Sequence, residues 1–152
     1  MQLTSPAFSE GGKIPAKFTC EGEDINPELD ISGVPPGTKT LVLLMDDPDV
    51  PAFIRKEQMW DHWVLFNIPP ATTKIPEHAK SLGTPGRNTS GTAAYQGPCP
   101  PDREHRYFFK LYALDTTLHL PQGASKADVE NAIEGHILAK TQLMGRYEKR
   151  KK

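Results

Sequence analysis

Proline constrains this chain more than any other residue. It occurs 15 times in 152 positions, about twice its usual ~5 % share. The ring fixes φ and leaves no amide proton to donate, which bars proline from helix interiors and central strands. Its occurrences run from Pro6 to Pro121 with no low-complexity block. That distribution reads as a folded protein with many stiff connections, not a disordered linker.

Between the prolines lie short apolar runs. Leu41–Met45 is one, stopped by Asp46-Asp47-Pro48-Asp49-Val50-Pro51. Trp60–Ile68 is a second, rich in aromatic and β-branched residues and closed by Pro69-Pro70. Tyr107–Leu114 is a third, ended by Asp115. Runs of this length, bounded by Pro and Asp, predict core strands. Weaker strands are expected around Lys17–Thr19, Glu28–Ser32 and the first ten residues. Ser125-x-x-Asp128 has the form of a capping box, and Val129, Ile133 and Ile137 recur at i, i+4, i+8. This spacing predicts a helix running to about Leu143, with Gly135 weakening it by ~1 kcal/mol. The expected fold class is mainly β, a sandwich with Greek-key connections and a C-terminal helix packed on it.

The length fits one domain over residues 1–152, long enough to bury ~70 % of the unfolded surface. With 18 basic and 19 acidic side chains the net charge is −1. No basic field is available for a phosphate polymer, so nucleic acid is not an expected partner. No run approaches the ~18 apolar residues of a membrane span. The start, MQLTSPAFSEGGK, lacks a basic residue followed by an apolar stretch, and a cytoplasmic location is expected. The two cysteines, Cys20 and Cys99, are too few for a disulfide framework; a reduced pair and a single bridge both fit. Glu148–Lys152 is expected to be a solvated tail.

Side chains alternate faces along a strand. Leu41, Leu43, Met45 and Asp47 therefore share a face if the first strand reaches that far. His62 shares one with Val64 and Phe66, and His105 with Tyr107, Phe109, Leu111 and Ala113. Each row carries a polar residue at its mouth. If the rows pack together, an Asp, two His and a Tyr converge at one end of the core. Other residues read more simply. Asp46-Asp47-Pro48-Asp49 also reads as a turn, Gly97-Pro98-Cys99-Pro100-Pro101 as a stiff loop, and Trp60, Trp63 and Phe66 as core.

The ordered segments Ser5-Pro6-Ala7-Phe8, Thr19-Cys20-Glu21-Gly22, Gly33-Val34-Pro35-Pro36-Gly37-Thr38, Asp47-Pro48-Asp49-Val50-Pro51, His62-Trp63-Val64, Asn67-Ile68-Pro69, Gly97-Pro98-Cys99-Pro100-Pro101, His105-Arg106-Tyr107 and Gly135–Ala139 carry a further signal. Together they resemble the phosphatidylethanolamine-binding protein family, in its compact bacterial and archaeal Raf-kinase-inhibitor-like branch. The resemblance implies a β-sandwich with a small pocket for phosphate, acetate or a phospholipid head group. It assigns that pocket to Asp47, His62, Gly97, Pro98, His105 and Tyr107, without a cofactor or metal. Two departures stand out. Asp102-Arg103-Glu104 occupies the place where the branch usually has a glycine before His-Arg-Tyr, and Gly86–Gly91 replaces a different family stretch.

Imidazoles can be cationic near neutral pH, and with a phenol they offer several donors to an anion. Asp47 has the wrong sign to touch that anion; its expected role is to accept from one imidazole and orient it. Binding is expected to fade as the histidines lose protons. The same residue types also permit an enzyme, either through a two-His, one-carboxylate metal site or an acid/base pair. The family resemblance adds a protein kinase or other signalling protein as a candidate partner.

Overall fold

Eight strands and one helix make up the computed structural model, which describes residues 1–150. In chain order they are β1 (Gln2–Thr4), β2 (Leu29–Ser32), β3 (Thr40–Asp47), β4 (Trp60–Ile68), β5 (Lys74–Ile75), β6 (Thr84–Pro85), β7 (His105–Leu114), α1 (Lys126–Ile133) and β8 (Ile137–Tyr147). One sheet has the order β1-β2-β5, the other β6-β4-β3-β7-β8, and every pairing is antiparallel. Within the larger sheet, β7-β3-β4-β6 is the fourth-beside-first order of a Greek key. Pro85 is the one proline inside a strand, and its strand lies at the sheet edge, where a missing amide proton costs no ladder bond.

The central strand β3 is buried at all eight positions, because both of its faces are covered. Leu41, Leu43 and Met45 point toward the smaller sheet and pack with Leu3, Leu29, Ile31, Ile75, Phe109 and Leu111. Val42 and Leu44 point the other way and join Val64, Phe66, Val129 and Ile133. The small sheet, the large sheet and α1 thus form three layers with two cores. Burying α1 residues Val129 and Ile133 contributes roughly 1.5–3 kcal/mol each.

Four sequence expectations change. First, β3 runs past Met45 through Asp46 and Asp47, both buried. Asp46 Oδ2 is 2.9 Å from Lys110 Nζ and 2.8 Å from Lys126 Nζ, so paired charge keeps the strand going. Second, the helix stops at Ile133. The capping box is present, with Asp128 N–H donating to Ser125 Oγ and Ser125 N–H to Asp128 Oδ2, each at 3.1 Å. Gly135, however, adopts φ +82°, the left-handed conformation that ends helices. Third, the chain from Ile137 onward is strand β8, paired along β7. The helix is therefore not the last element, and Ile137 is exposed rather than on its apolar face. Fourth, Lys17–Thr19 is not a strand; a single 3₁₀ turn spans Ala16–Phe18. In the tail, Glu148 and Arg150 are exposed, while Lys151 and Lys152 lie outside the described residues.

Candidate functional site

At one end of the large sheet, where β3, β4 and β7 meet the 96–101 loop, a cavity of about 220 Å³ is lined by Asp47, Trp60, His62, Gln96, Gly97, His105 and Tyr107. Val50, Ile54, Cys99, Pro100 and Pro101 complete its wall. Five of the six residues singled out in the sequence meet here. Pro98 does not line the cavity; its carbonyl accepts the Cys20 amide at 3.1 Å behind the wall.

Local alternation explains Asp47, His105 and Tyr107. β3 and β7 pair without interruption from Thr40–Leu114 to Asp46–Phe108, so their core-facing rows end together. His62 reaches the cavity for a different reason. Simple alternation puts it with Val64 and Phe66, on the helix side of the sheet. The β3–β4 register jumps from Met45–Trp63 to Asp46–Asp61, leaving His62 as the extra residue of a bulge. The bulge turns His62 to the cavity, where its ring meets Tyr107 edge-on at 5.2 Å. It also puts Asp61 on the helix side, 3.4 Å from Lys126 Nζ. Trp60, expected in the core, lines the cavity and donates from Nε1 to Gln96 Oε1 at 2.9 Å.

The Gly97 loop is tied from behind. Cys20 and Cys99 form a disulfide, which settles the choice the sequence left open. Gly97 N–H donates to Asp24 Oδ1 at 2.8 Å. A Cβ on Gly97 would stand 2.3 Å from the Phe18 carbonyl oxygen, so close backbone approach requires glycine there. Asp49 holds the other rim through Arg106, with Oδ1 2.8 Å from Nη2 and Oδ2 3.0 Å from Nε. That hydrogen-bonded guanidinium holds the Asp49 carboxyl below its usual range.

The two imidazoles differ. His62 Nδ1 lies 2.6 Å from the Gln96 carbonyl oxygen; a carbonyl only accepts, so Nδ1 carries the proton. Burial pushes His62 down to about 4, which leaves the ring neutral at pH 7 with a lone pair on Nε2. The expectation that both histidines supply positive charge is thus corrected for His62. His105 Nδ1 is 2.6 Å from Asp47 Oδ2, the orienting contact expected for Asp47. Burial pushes the Asp47 carboxyl up, while hydrogen bonds from His105 and the Asp49 amide pull against it. Tyr107 is fully buried, and its hydroxyl has no hydrogen-bond partner among the described residues. Burial, then the nearby Asp47 charge, pushes that hydroxyl up and keeps it a neutral donor.

Sequence reasoning did not assign Asp102, whose Oδ1 is 2.7 Å from His105 Nε2. Its only signal was the departure at Asp102-Arg103-Glu104. The second departure, Gly86–Gly91, lies outside the cavity wall; Thr89 instead bonds the backbone of Asp61. Among the described residues, no three His, Cys, Asp or Glu side chains are grouped to hold a metal ion. No helix among them is long and apolar enough to cross a membrane.

Known proteins share this chain's sequence pattern and fold. A family model described as phosphatidylethanolamine-binding protein matches residues 4–148. A UPF0098 protein of Methanothermobacter thermautotrophicus is 49 % identical, covering 97 % of this chain and 98 % of the relative. A crystal structure of a phosphatidylethanolamine-binding protein homologue from Chlamydia trachomatis superposes with a TM-score of 0.95 at 46 % identity, over 97 % of both chains. YbcL of E. coli, described as a member of the mammalian PEBP family, gives 0.88 at 32 % identity, over 98 % of both chains.

Proposed function

This chain belongs to the phosphatidylethanolamine-binding protein family, and on that premise we propose that its cavity binds a small oxyanion. The ligands in view are phosphate, a phosphomonoester or a phospholipid head group, held by His105 and Tyr107. One observation carries this reading. Asp47 grips His105 at Nδ1, and the opposite nitrogen, Nε2, already meets an anionic oxygen at 2.7 Å. A ring oriented from behind and presenting N–H to a carboxylate is built to donate to oxyanions. Tyr107 supports it, because a buried hydroxyl without a partner is a donor in waiting. His62, Gly97 and Pro98 belong to the site as wall, loop and backing, with Asp47 as the orienting acceptor.

The test is a titration of inorganic phosphate, acetate and O-phosphoethanolamine followed by the imidazole NMR signals. Phosphate is expected to move His105 strongly, and His105→Ala to abolish saturable binding. A His105 signal that stays put at millimolar phosphate rejects the reading.

A role toward a protein partner, such as a kinase, has its own observation. Phe53 is 80 % exposed and Ile54 49 % exposed beside the cavity mouth, an apolar tip of the kind that marks contact surfaces. Loss of a captured partner on adding phosphate supports that role. For the enzyme alternative, the disulfide removes Cys99 as a nucleophile, and a phosphatase and esterase screen of purified protein decides it. The cytoplasmic location remains part of the proposal, and the disulfide bears on it, since such bonds persist mainly in oxidising compartments or hyperthermophile cytosol. Trapping thiols in intact cells before lysis reads the redox state directly.

A further inference from the structure

The proton count around His105 extends the anion-binding reading and depends on it. Both ring nitrogens face carboxylate oxygens, Nδ1 to Asp47 at 2.6 Å and Nε2 to Asp102 at 2.7 Å. An ionised carboxylate only accepts. Two hydrogen bonds therefore need two protons shared among the three groups. Either the ring is an imidazolium between two carboxylates, or it is neutral and one carboxyl is protonated. The sum is one net negative charge in both cases. A cluster of that sign repels an anion while Asp102 is seated.

The two carboxylates are not equally fixed. Asp47 is buried and its Oδ1 also accepts the Asp49 amide at 2.7 Å. Asp102 sits on the exposed rim and reaches His105 only with its side chain. Its second oxygen is 3.7 Å from Arg103 Nε, an exposed cation that can hold the carboxylate after it leaves the ring. Pro100 and Pro101 come just before it and fix the backbone there, so release needs a side-chain rotation and no loop opening. With Asp102 gone, Asp47 and an imidazolium His105 sum to zero, and Nε2–H is free to donate.

We propose that Asp102 is a built-in competitor for the ligand: its carboxylate occupies the His105 Nε2 seat that an oxyanion takes, and binding requires Asp102 to exchange His105 for Arg103. Asp102 is thereby a specificity-determining residue. A weak acceptor does not displace it, whereas a phosphate with several anionic oxygens does.

The test compares wild type, Asp102→Asn, Asp102→Ala and, as a charge-matched control on the same rim, Glu104→Gln. Glu104 pairs with Arg146 at 2.9 Å and has no bond to His105. Inorganic phosphate is titrated into each, with His105 and Tyr107 followed by NMR and the global fold by the amide spectrum. If the seated state dominates about tenfold, the Asp102 variants bind phosphate about tenfold more tightly. Glu104→Gln shifts affinity only about twofold, the scale of a solvent-screened surface charge. Equal tightening in all three variants reduces Asp102 to a screened charge and overturns the proposal. Unchanged or weaker binding in the Asp102 variants also overturns it, while leaving the anion site standing. Folded proteins that take up no phosphate, wild type and variants alike, defeat the anion reading and this inference with it.

Discussion

Breaking the Cys20–Cys99 bridge offers a quantitative test of how the cavity is supported. The cysteines are 79 residues apart, so the bond closes about half the chain into a loop. The chain-entropy relation gives about 4.5 kcal/mol of stability at 25 °C for such a loop, chiefly by restricting the unfolded state. Unfolding entropy is ~2.1 cal/mol/K per residue, and over 152 residues the bridge corresponds to about 14 °C in Tm. The folded loop has other ties. Cys20 N–H donates to Pro98 O at 3.1 Å, Gly97 N–H to Asp24 Oδ1 at 2.8 Å, and Tyr95 OH to Phe18 O at 2.7 Å. The reduced protein should therefore melt much earlier yet keep its cavity at 25 °C. Calorimetry of wild type with and without reductant, beside Cys20→Ser/Cys99→Ser, measures the first point; the His105 and Tyr107 NMR signals measure the second. A Tm drop below about 3 °C on verified reduction refutes the entropic argument, and a collapse of the His105 signal refutes the claim that the remaining bonds hold the loop.

Three further outcomes are expected. His62 titrates near 4 when folded against 6.5 ordinarily, so between those values the unfolded chain binds a proton that the folded chain refuses. Stability thus falls as pH drops from about 6.5 to about 4, by about 3 kcal/mol in all; urea midpoints across that range should show a steeper fall in wild type than in His62→Gln, and equal slopes contradict the burial argument. Asp46→Ala strips Lys110 and Lys126 of a buried partner and should cost about 3 kcal/mol in denaturant unfolding, with a loss under about 1 kcal/mol meaning that Asp61 takes over Lys126. Gly97→Ala forces a Cβ onto the Phe18 and Asp24 oxygens, and should both destabilise by about 1–3 kcal/mol and weaken phosphate binding; a variant with wild-type melting and binding removes the close-approach explanation.

The site was legible in the sequence to unequal degrees. Asp47, His105 and Tyr107 were readable because β3 and β7 pair in unbroken register, so alternation counted along each strand keeps its meaning in space. His62 lines the cavity, but on a different face from the one that alternation predicts. One extra residue opposite β3 turns it, and nothing within WDHWVLFNI announces that bulge. The helix was read ten residues too long because Val129, Ile133 and Ile137 keep a helical spacing by accident, while the left-handed turn at Gly135 and the free flank of β7 claim Ile137 for a strand. Asp102 had no signal beyond its oddity, since a carboxylate three residues before a histidine touches it only when the rim loop bends back.

By itself the sequence determined the β-rich class and the positions of the interruptions, because a fixed proline φ and two-residue alternation are local properties of the chain. Tertiary structure alone decided the register bulge, the joining of Cys20 to Cys99 and the seating of Asp102 on His105. Each depends on where a partner distant in sequence, or a loop's path in space, ends up, and no local rule carries that distance.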